Sequence, residues 1–471
     1  MTRRVVAALA ALLIAPAAAN DNTLPPAVER VLVHRDLPAE ALSIYVADIE
    51  TGDVILQWND TVPRNPGSTI KLLTTLVAID LLGPAYTWET KVYALGAIDA
   101  GTLDGDLLIQ GNGDPFLVTE RVWQLLRQIR HAGVETIAGD LLIDDSFFDV
   151  GDHDPGAFDN QPLRAYNVSP NAVLMNFKVV RYRFRPEHEA GRVGIQVDPP
   201  LANLDISNQL RLVPGPCRGY QRGIAINANE TNDRMTFSGR FPAGCEIYAM
   251  DRTALDHNAF VHGLFTSMWR DSGGVFSGDW RNVPAPGEIE PIVRFRSLPL
   301  RDVIARVNKH SNNVMARQLL YTLSAEVLGT PGTEAGGRKV IGDWLIDNGL
   351  AFSDFAFDNG AGLSRDARMT ARDFGNMLDF AWRQPYMPEY VSSLSLAGLD
   401  GTLTYRMEDG PLEGMAHLKT GSLDHVAGVA GYLQARSGRR FVVAVLQNHT
   451  DVHRGYGEET QEALLKWLYE Q

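Results

Sequence analysis

Cysteine is almost absent from this chain: Cys217 and Cys245 are the only two in 471 residues, and neither has a flanking His or second Cys at metal-ligand spacing. That excludes a zinc ribbon, an iron–sulfur site and a dense disulfide scaffold. Two readings remain for the pair: one disulfide, which an oxidising compartment favours, or two buried free thiols. Basic charge is also scarce. Lys and Arg number 43 against 57 Asp and Glu, a formal net charge of −14, which argues against nucleic acid as a partner. Long apolar runs are missing too. Nothing approaches the ~20 consecutive apolar residues of a spanning helix, so no transmembrane anchor is expected.

The chain does contain a secretory pattern at its start. Thr2-Arg3-Arg4 precedes an apolar run from Val5 to Ala15 and the small-residue stretch Pro16-Ala17-Ala18-Ala19, which predicts a signal peptide at 1–19, cut after Ala19. The remainder is too long for one hydrophobic core, and 45% hydrophobic residues suffice to bury two or three domains.

Residues 42–47 and 54–58 read as two strands joined by a turn at Glu50-Thr51-Gly52-Asp53. Pro66-Gly67 stops extended structure, and Ser68 to Leu82 reads as one helix closed by Gly83-Pro84. From about 87 the pattern turns to short β-like runs between Gly, Asn, Asp and Pro turns. Among them are two Gly-Asp-Leu-Leu-Ile stretches, at 105–109 and 139–143, which suggest similar hairpin units. Helices return from about 252, including 300–307 and 313–328. The chain then closes with strands at 415–423, 426–434 and 440–448 and a helix at 458–470. Both ends therefore share one α/β style. The expected architecture is a catalytic domain built from 20–86 and 252–471, with a β-rich insertion of two subdomains at 87–251.

A serine hydroxyl needs a neighbouring base, and residues i and i+3 of a helix share a face. Ser68 and Lys71 meet that condition, although Ser-x-x-Lys is common and Ser68 alone could be an ordinary helix N-cap. Two further motifs raise its weight. Lys419-Thr420-Gly421 lies at the end of a strand, and Ser311-Asn312-Asn313 lies at a helix start. Ser169-Pro170-Asn171 also matches Ser-x-Asn, but beside Pro170 in the insertion it reads as a loop decoy. The ordered set Ser-x-x-Lys, Ser-x-Asn, Lys-Thr-Gly is the specific signal.

With those motifs in Pro66-Gly67-Ser68-Thr69-Ile70-Lys71-Leu72, Lys309-His310-Ser311-Asn312-Asn313, Asp358-Asn359-Gly360-Ala361-Gly362-Leu363-Ser364-Arg365 and Leu418-Lys419-Thr420-Gly421-Ser422-Leu423, the chain resembles the penicilloyl-serine transferases. It is most similar to the D-alanyl-D-alanine carboxypeptidase/endopeptidase family of low-molecular-mass, class C penicillin-binding proteins. The resemblance implies an α/β (α+β) fold: a β-lactamase/transpeptidase-like domain with a central antiparallel sheet flanked by helices, plus β-rich inserted domains. It implies a periplasmic serine hydrolase acting on peptidoglycan stem peptides, binding β-lactams covalently, and needing no metal or cofactor.

The same resemblance assigns roles. Ser68 is the nucleophile, and Lys71 is its base, neutral through burial and the charge of Lys419. Ser311 relays a proton to the leaving amine, and Asn313 holds Lys71 and the substrate amide. Lys419, Thr420 and Ser422 face the terminal carboxylate on a strand that accepts the peptide edge-on, with Gly421 between them. The backbone N–H groups of Ser68 and Leu423 form the oxyanion hole. Arg365 is placed near the substrate end, or is a surface arginine after a turn. Asp144 is placed to bind the amino group of a diaminopimelate side chain, or is a solvated turn carboxylate. Asp424 departs from the family's usual glutamine, which leaves preference for the penultimate side chain open. Two rivals stand beside this reading: a serine β-lactamase, and a non-catalytic cell-wall binder of the same fold.

Overall fold

The C-terminal strands carry apolar residues on both faces, a composition suited to a sheet covered on both sides. In the computed structural model, which describes residues 23–471 apart from 220–222, 288, 351 and 353, they hold that position. The signal peptide expected at 1–19 lies outside the described residues. A six-stranded antiparallel sheet runs in the order Ser395–Leu396, Ala416–Leu423, Val426–Gln434, Arg440–Asn448, Leu42–Asp48, Val54–Trp58. Val442, Ala444 and Leu446 enter a core shared with the helices Lys71–Leu82 and Ala371–Trp382. Phe441, Val443 and Val445 enter a second core with the helices Pro26–His34 and Tyr456–Tyr469. The period of two in a strand sends successive side chains into different cores.

The helix Lys71–Leu82 is buried from Lys71 through Ile79. It is preceded by a 3₁₀ turn at Gly67–Ile70, so the single helix expected from Ser68 is divided at Lys71. Pro66 lacks an N–H and Gly67 has φ +51°, and together they prevent the α-helical ladder from starting earlier.

The insertion has its own core. Its larger sheet contains Glu89–Asp99, Thr102–Gln110, Thr136–Ile137, Leu141–Asp144, Val275–Phe276, Trp280–Asn282 and Val293–Arg296. The two Gly-Asp-Leu-Leu-Ile runs are neighbouring parallel strands of this sheet, Leu107 beside Leu141 and Ile109 beside Ile143, rather than separate hairpin units. Two three-stranded sheets follow, and the disulfide Cys217–Cys245 clips the parallel pair Asp205–Pro216 and Arg234–Gly244 at their ends.

The return at 252 expected from the sequence comes too early. The helix His257–Asp271 packs Phe260, Val261, Leu264 and Phe265 into the insertion's core, and Val293–Arg296 pairs with Glu89–Asp99. Departure and return meet at Trp88 and Ser297, where Ser297 N donates to Trp88 O at 2.9 Å. Helical periodicity reports that 257–271 is a helix but not which core receives it, and a four-residue strand carries too little pattern to be recognised.

Candidate active site

Ser68 sits half-buried in the 3₁₀ turn, and Lys71 is fully buried at the first position of the helix. Lys71 Nζ lies 2.9 Å from Ser68 Oγ and 2.7 Å from Asn313 Oδ1, and it also contacts the carbonyl oxygen of Ala361. Burial, then the nearby charges of Lys419 and Arg317, push its pKa well below the ordinary lysine value. A neutral amine has two N–H groups, which Asn313 and Ala361 accept, leaving its lone pair for the Ser68 hydroxyl proton.

Ser311 occupies the break between the helices Leu300–His310 and Asn313–Leu328, with a left-handed φ of +54°. The second helix is capped by Asn312, whose side chain accepts from Met315 N at 3.1 Å. That break aims Ser311 Oγ at Lys419 Nζ, 2.9 Å away, and Lys419 also donates to Thr420 O at 2.7 Å. Lys419 is fully buried, and burial pushes its pKa down to about 7. A substrate carboxylate beside it would raise that value again.

The edge strand Ala416–Leu423 is covered by Ser395–Leu396 only at Leu418 and His417, so its free edge runs from Lys419 onward. It passes extremely close to the nucleophile turn. A β-carbon on Gly421 would stand 2.5 Å from Pro66 O and 3.0 Å from Ser68 N. Gly362, with φ +80°, would place one 2.1 Å from Gly67 O. Two glycines thus clamp the turn that carries Ser68. The amide brought to this corner belongs to Ser422: a β-carbon on Gly67 would lie 3.4 Å from Ser422 N. Because successive strand N–H groups point in opposite directions, the strand amide facing this corner is that of Ser422 and not that of Leu423, the donor expected from the sequence.

The profile of the D-Ala-D-Ala carboxypeptidase 3 (S13) family matches residues 24–471. The chain belongs to that family. It is a serine D-Ala-D-Ala carboxypeptidase of the penicillin-binding class. It is 25% identical over 441 residues to the D-alanyl-D-alanine carboxypeptidase of Actinomadura sp. strain R39, covering 90% of this chain and 80% of that one. To the carboxypeptidase DacB of Haemophilus influenzae it is 22% identical over 397 residues, 83% of this chain and 82% of the relative. The crystal structure of penicillin binding protein 4 from Haemophilus influenzae superposes with a TM-score of 0.79 at 22% identity, covering 94% of this chain and 99% of that one. The same protein complexed with a novel β-lactam gives 0.76 at 21% identity and the same coverage.

Around this S13 centre the remaining expected residues divide. Arg365 is exposed, donates to Asp424 O at 3.2 Å, and stacks on Phe158 with its guanidinium carbon 4.7 Å from the ring centre. It therefore stands at the end of the edge strand, lining a cleft of about 540 Å³ with Phe158, Arg317 and Ser364. Asp144 does not reach the site. It is buried, and its oxygens accept from Ser146 N and Oγ, Gln110 Nε2 and Ala285 N. Burial opposes ionisation, yet those hydrogen bonds hold its pKa below the usual carboxylate value, and no lone pair is left for a substrate amine. Ser169 bonds the half-buried His257 at 3.0 Å, outside the cluster around Ser68.

Sequence reasoning missed Arg317, one turn beyond Asn313 and buried on the same helix, where it donates to Val168 O at 3.0 Å. Its sequence signal is a single arginine in the mostly apolar run from Val314 to Leu323. The Ala361 carbonyl and Gly362 were also missed as contributors, although they lie in the run that ends at Arg365.

Proposed function

We propose that the chain is a periplasmic DD-carboxypeptidase and DD-endopeptidase, hydrolysing D-Ala-D-Ala termini and D-Ala-diaminopimelate cross-links through an acyl-enzyme on Ser68. The observation that carries this reading is the buried Lys71 amine 2.9 Å from Ser68 Oγ, its other partners being oxygens that accept from a neutral amine. Ser68 Oγ attacks the penultimate D-Ala carbonyl as Lys71 Nζ takes its proton. The N–H groups of Ser68 and Ser422 stabilise the oxyanion. The proton then passes from Lys71 through Ser311 to the leaving amine, the C–N bond breaks, and a water releases the acyl group from Ser68. The substrate lies along the free edge of Ala416–Leu423, with Thr420, Ser422 and protonated Lys419 toward its carboxylate.

A β-lactam carries the same carbonyl and carboxylate, and the β-lactam complex of the Haemophilus influenzae protein supports covalent capture here as well. The test is a time course with fluorescent penicillin. A stable adduct on wild-type protein, absent in Ser68→Ala, is expected. A rapidly discharged adduct would make the protein a β-lactamase, and no adduct at all would make it a binding protein.

A further inference from the structure

Ser311 and Asn313 of the candidate site also border a groove of about 1240 Å³. Ser311 and Asn313 form its inner wall, and its outer wall comes from the helix Thr119–His131 and the strand Val179–Glu187 of the insertion. We propose that this groove holds the leaving-side stem peptide of a cross-linked substrate, the part attached to the amine that departs. The inference rests on the endopeptidase reading above and assigns that activity a binding site.

Three observations carry it. The first is continuity. Ser311 hands its proton to the leaving amine, so whatever is bonded to that amine must extend past Ser311. The acyl half is accounted for by the free strand edge and the Arg365 cleft. The second is size. A departing D-Ala is one small residue, whereas the groove exceeds the ~300–1,000 Å³ that usually encloses an entire drug-sized ligand.

The third is a wall held in a costly conformation. Asn176, Phe177 and Lys178 are three consecutive non-glycine residues with φ of 45°, 55° and 55°. Strain of this kind survives only where the surroundings impose it, and it gathers at ligand sites. Here Asn176 accepts from Thr119 Oγ1 at 3.0 Å and donates to Val179 O at 2.9 Å. This fixes Phe177 against Phe116, ring centres 5.9 Å apart, as an apolar floor. Trp123 stays 48% exposed on the facing helix, and the Arg181–Asp251 ion pair at 2.8 Å adds charged groups of both signs. An apolar floor with amide and paired charged groups matches a zwitterionic peptide.

The experiment compares kcat/KM on a cross-linked dimeric muropeptide with kcat/KM on a soluble pentapeptide ending in D-Ala-D-Ala. It uses wild-type protein, Trp123→Ala, and Gln124→Trp, which places bulk in the groove from an exposed helix position. The dimer-to-pentapeptide ratio should fall about tenfold in each variant. A wild-type ratio in both variants would overturn the groove assignment while leaving the endopeptidase reading intact. Wild-type protein that hydrolyses the pentapeptide but never the dimer would refute both.

Discussion

Lys71 and Lys419 end on different serines at the same distance: Lys71 Nζ is 2.9 Å from Ser68 Oγ, and Lys419 Nζ is 2.9 Å from Ser311 Oγ. Both are fully buried, and the partners of both amines are hydroxyl, amide and carbonyl oxygens. Two such amines cannot both stay charged at low cost, and the proposed mechanism uses one as base and the other as carboxylate partner.

That division sets a pH dependence. Lys71 acts only when deprotonated, so acylation falls as pH drops through its depressed pKa. Below about pH 7 Lys419 carries its proton and opposes protonation of Lys71. Lys419→Met removes that opposition, so Lys71 holds its proton more tightly and the acidic limb of the penicillin acylation profile should move to higher pH. Arg317→Gln should move it the same way, without touching the carboxylate partner. Lys71→Arg cannot present a neutral base and should lose roughly 10²–10⁴-fold in acylation rate. An acidic limb that stays in place in both Lys419→Met and Arg317→Gln would show that neither cation tunes Lys71.

The clamp on the nucleophile turn yields a second expectation. In Gly421→Ala the new methyl would meet Pro66 O at 2.5 Å and Thr69 N at 2.9 Å, both backbone atoms that cannot swing aside. The turn must shift, and displacement by about 1 Å costs on the order of 10²-fold in rate. Acylation kinetics with thermal unfolding as a folding control provide the measurement. Acylation within a few-fold of wild type would show that the turn is not held by this contact.

Asp144 should behave as a structural carboxylate. Asp144→Asn replaces an acceptor of hydrogen bonds from Ser146, Gln110 and Ala285 with a group that must also donate. The insertion should lose about 1–3 kcal/mol, read by denaturant unfolding, while relative activity on substrates with and without diaminopimelate stays level. A selective loss on diaminopimelate substrates with unchanged stability would restore a binding role to Asp144.

The Cys217–Cys245 bridge closes a loop of sequence separation 28 at the ends of the parallel strand pair in the insertion. Replacing both cysteines with serine should cost roughly 3 kcal/mol in the chain-entropy description. The loss should appear as faster proteolysis within 205–245, with penicillin acylation retained. Unaltered protease resistance would mean that the parallel strand pair holds this region without the bridge.

The motifs that meet around Ser68 were legible because each is local: Ser68 and Lys71 are three residues apart, and Lys419 to Ser422 are consecutive. That both ends of the chain supply strands was legible from short apolar runs at each end, since such a run is a property of neighbours in sequence. What the sequence alone determined was therefore residue chemistry and element type. Tertiary structure decided which core the helix His257–Asp271 joins, that Asp144 is consumed by its own neighbours, that Ser422 faces the nucleophile turn in place of Leu423, and that Arg317 presses its charge toward Lys71. Each of these depends on contacts between residues distant in sequence. Their burial and partners arise only when the chain closes on itself, and no single-chain pattern records that closure.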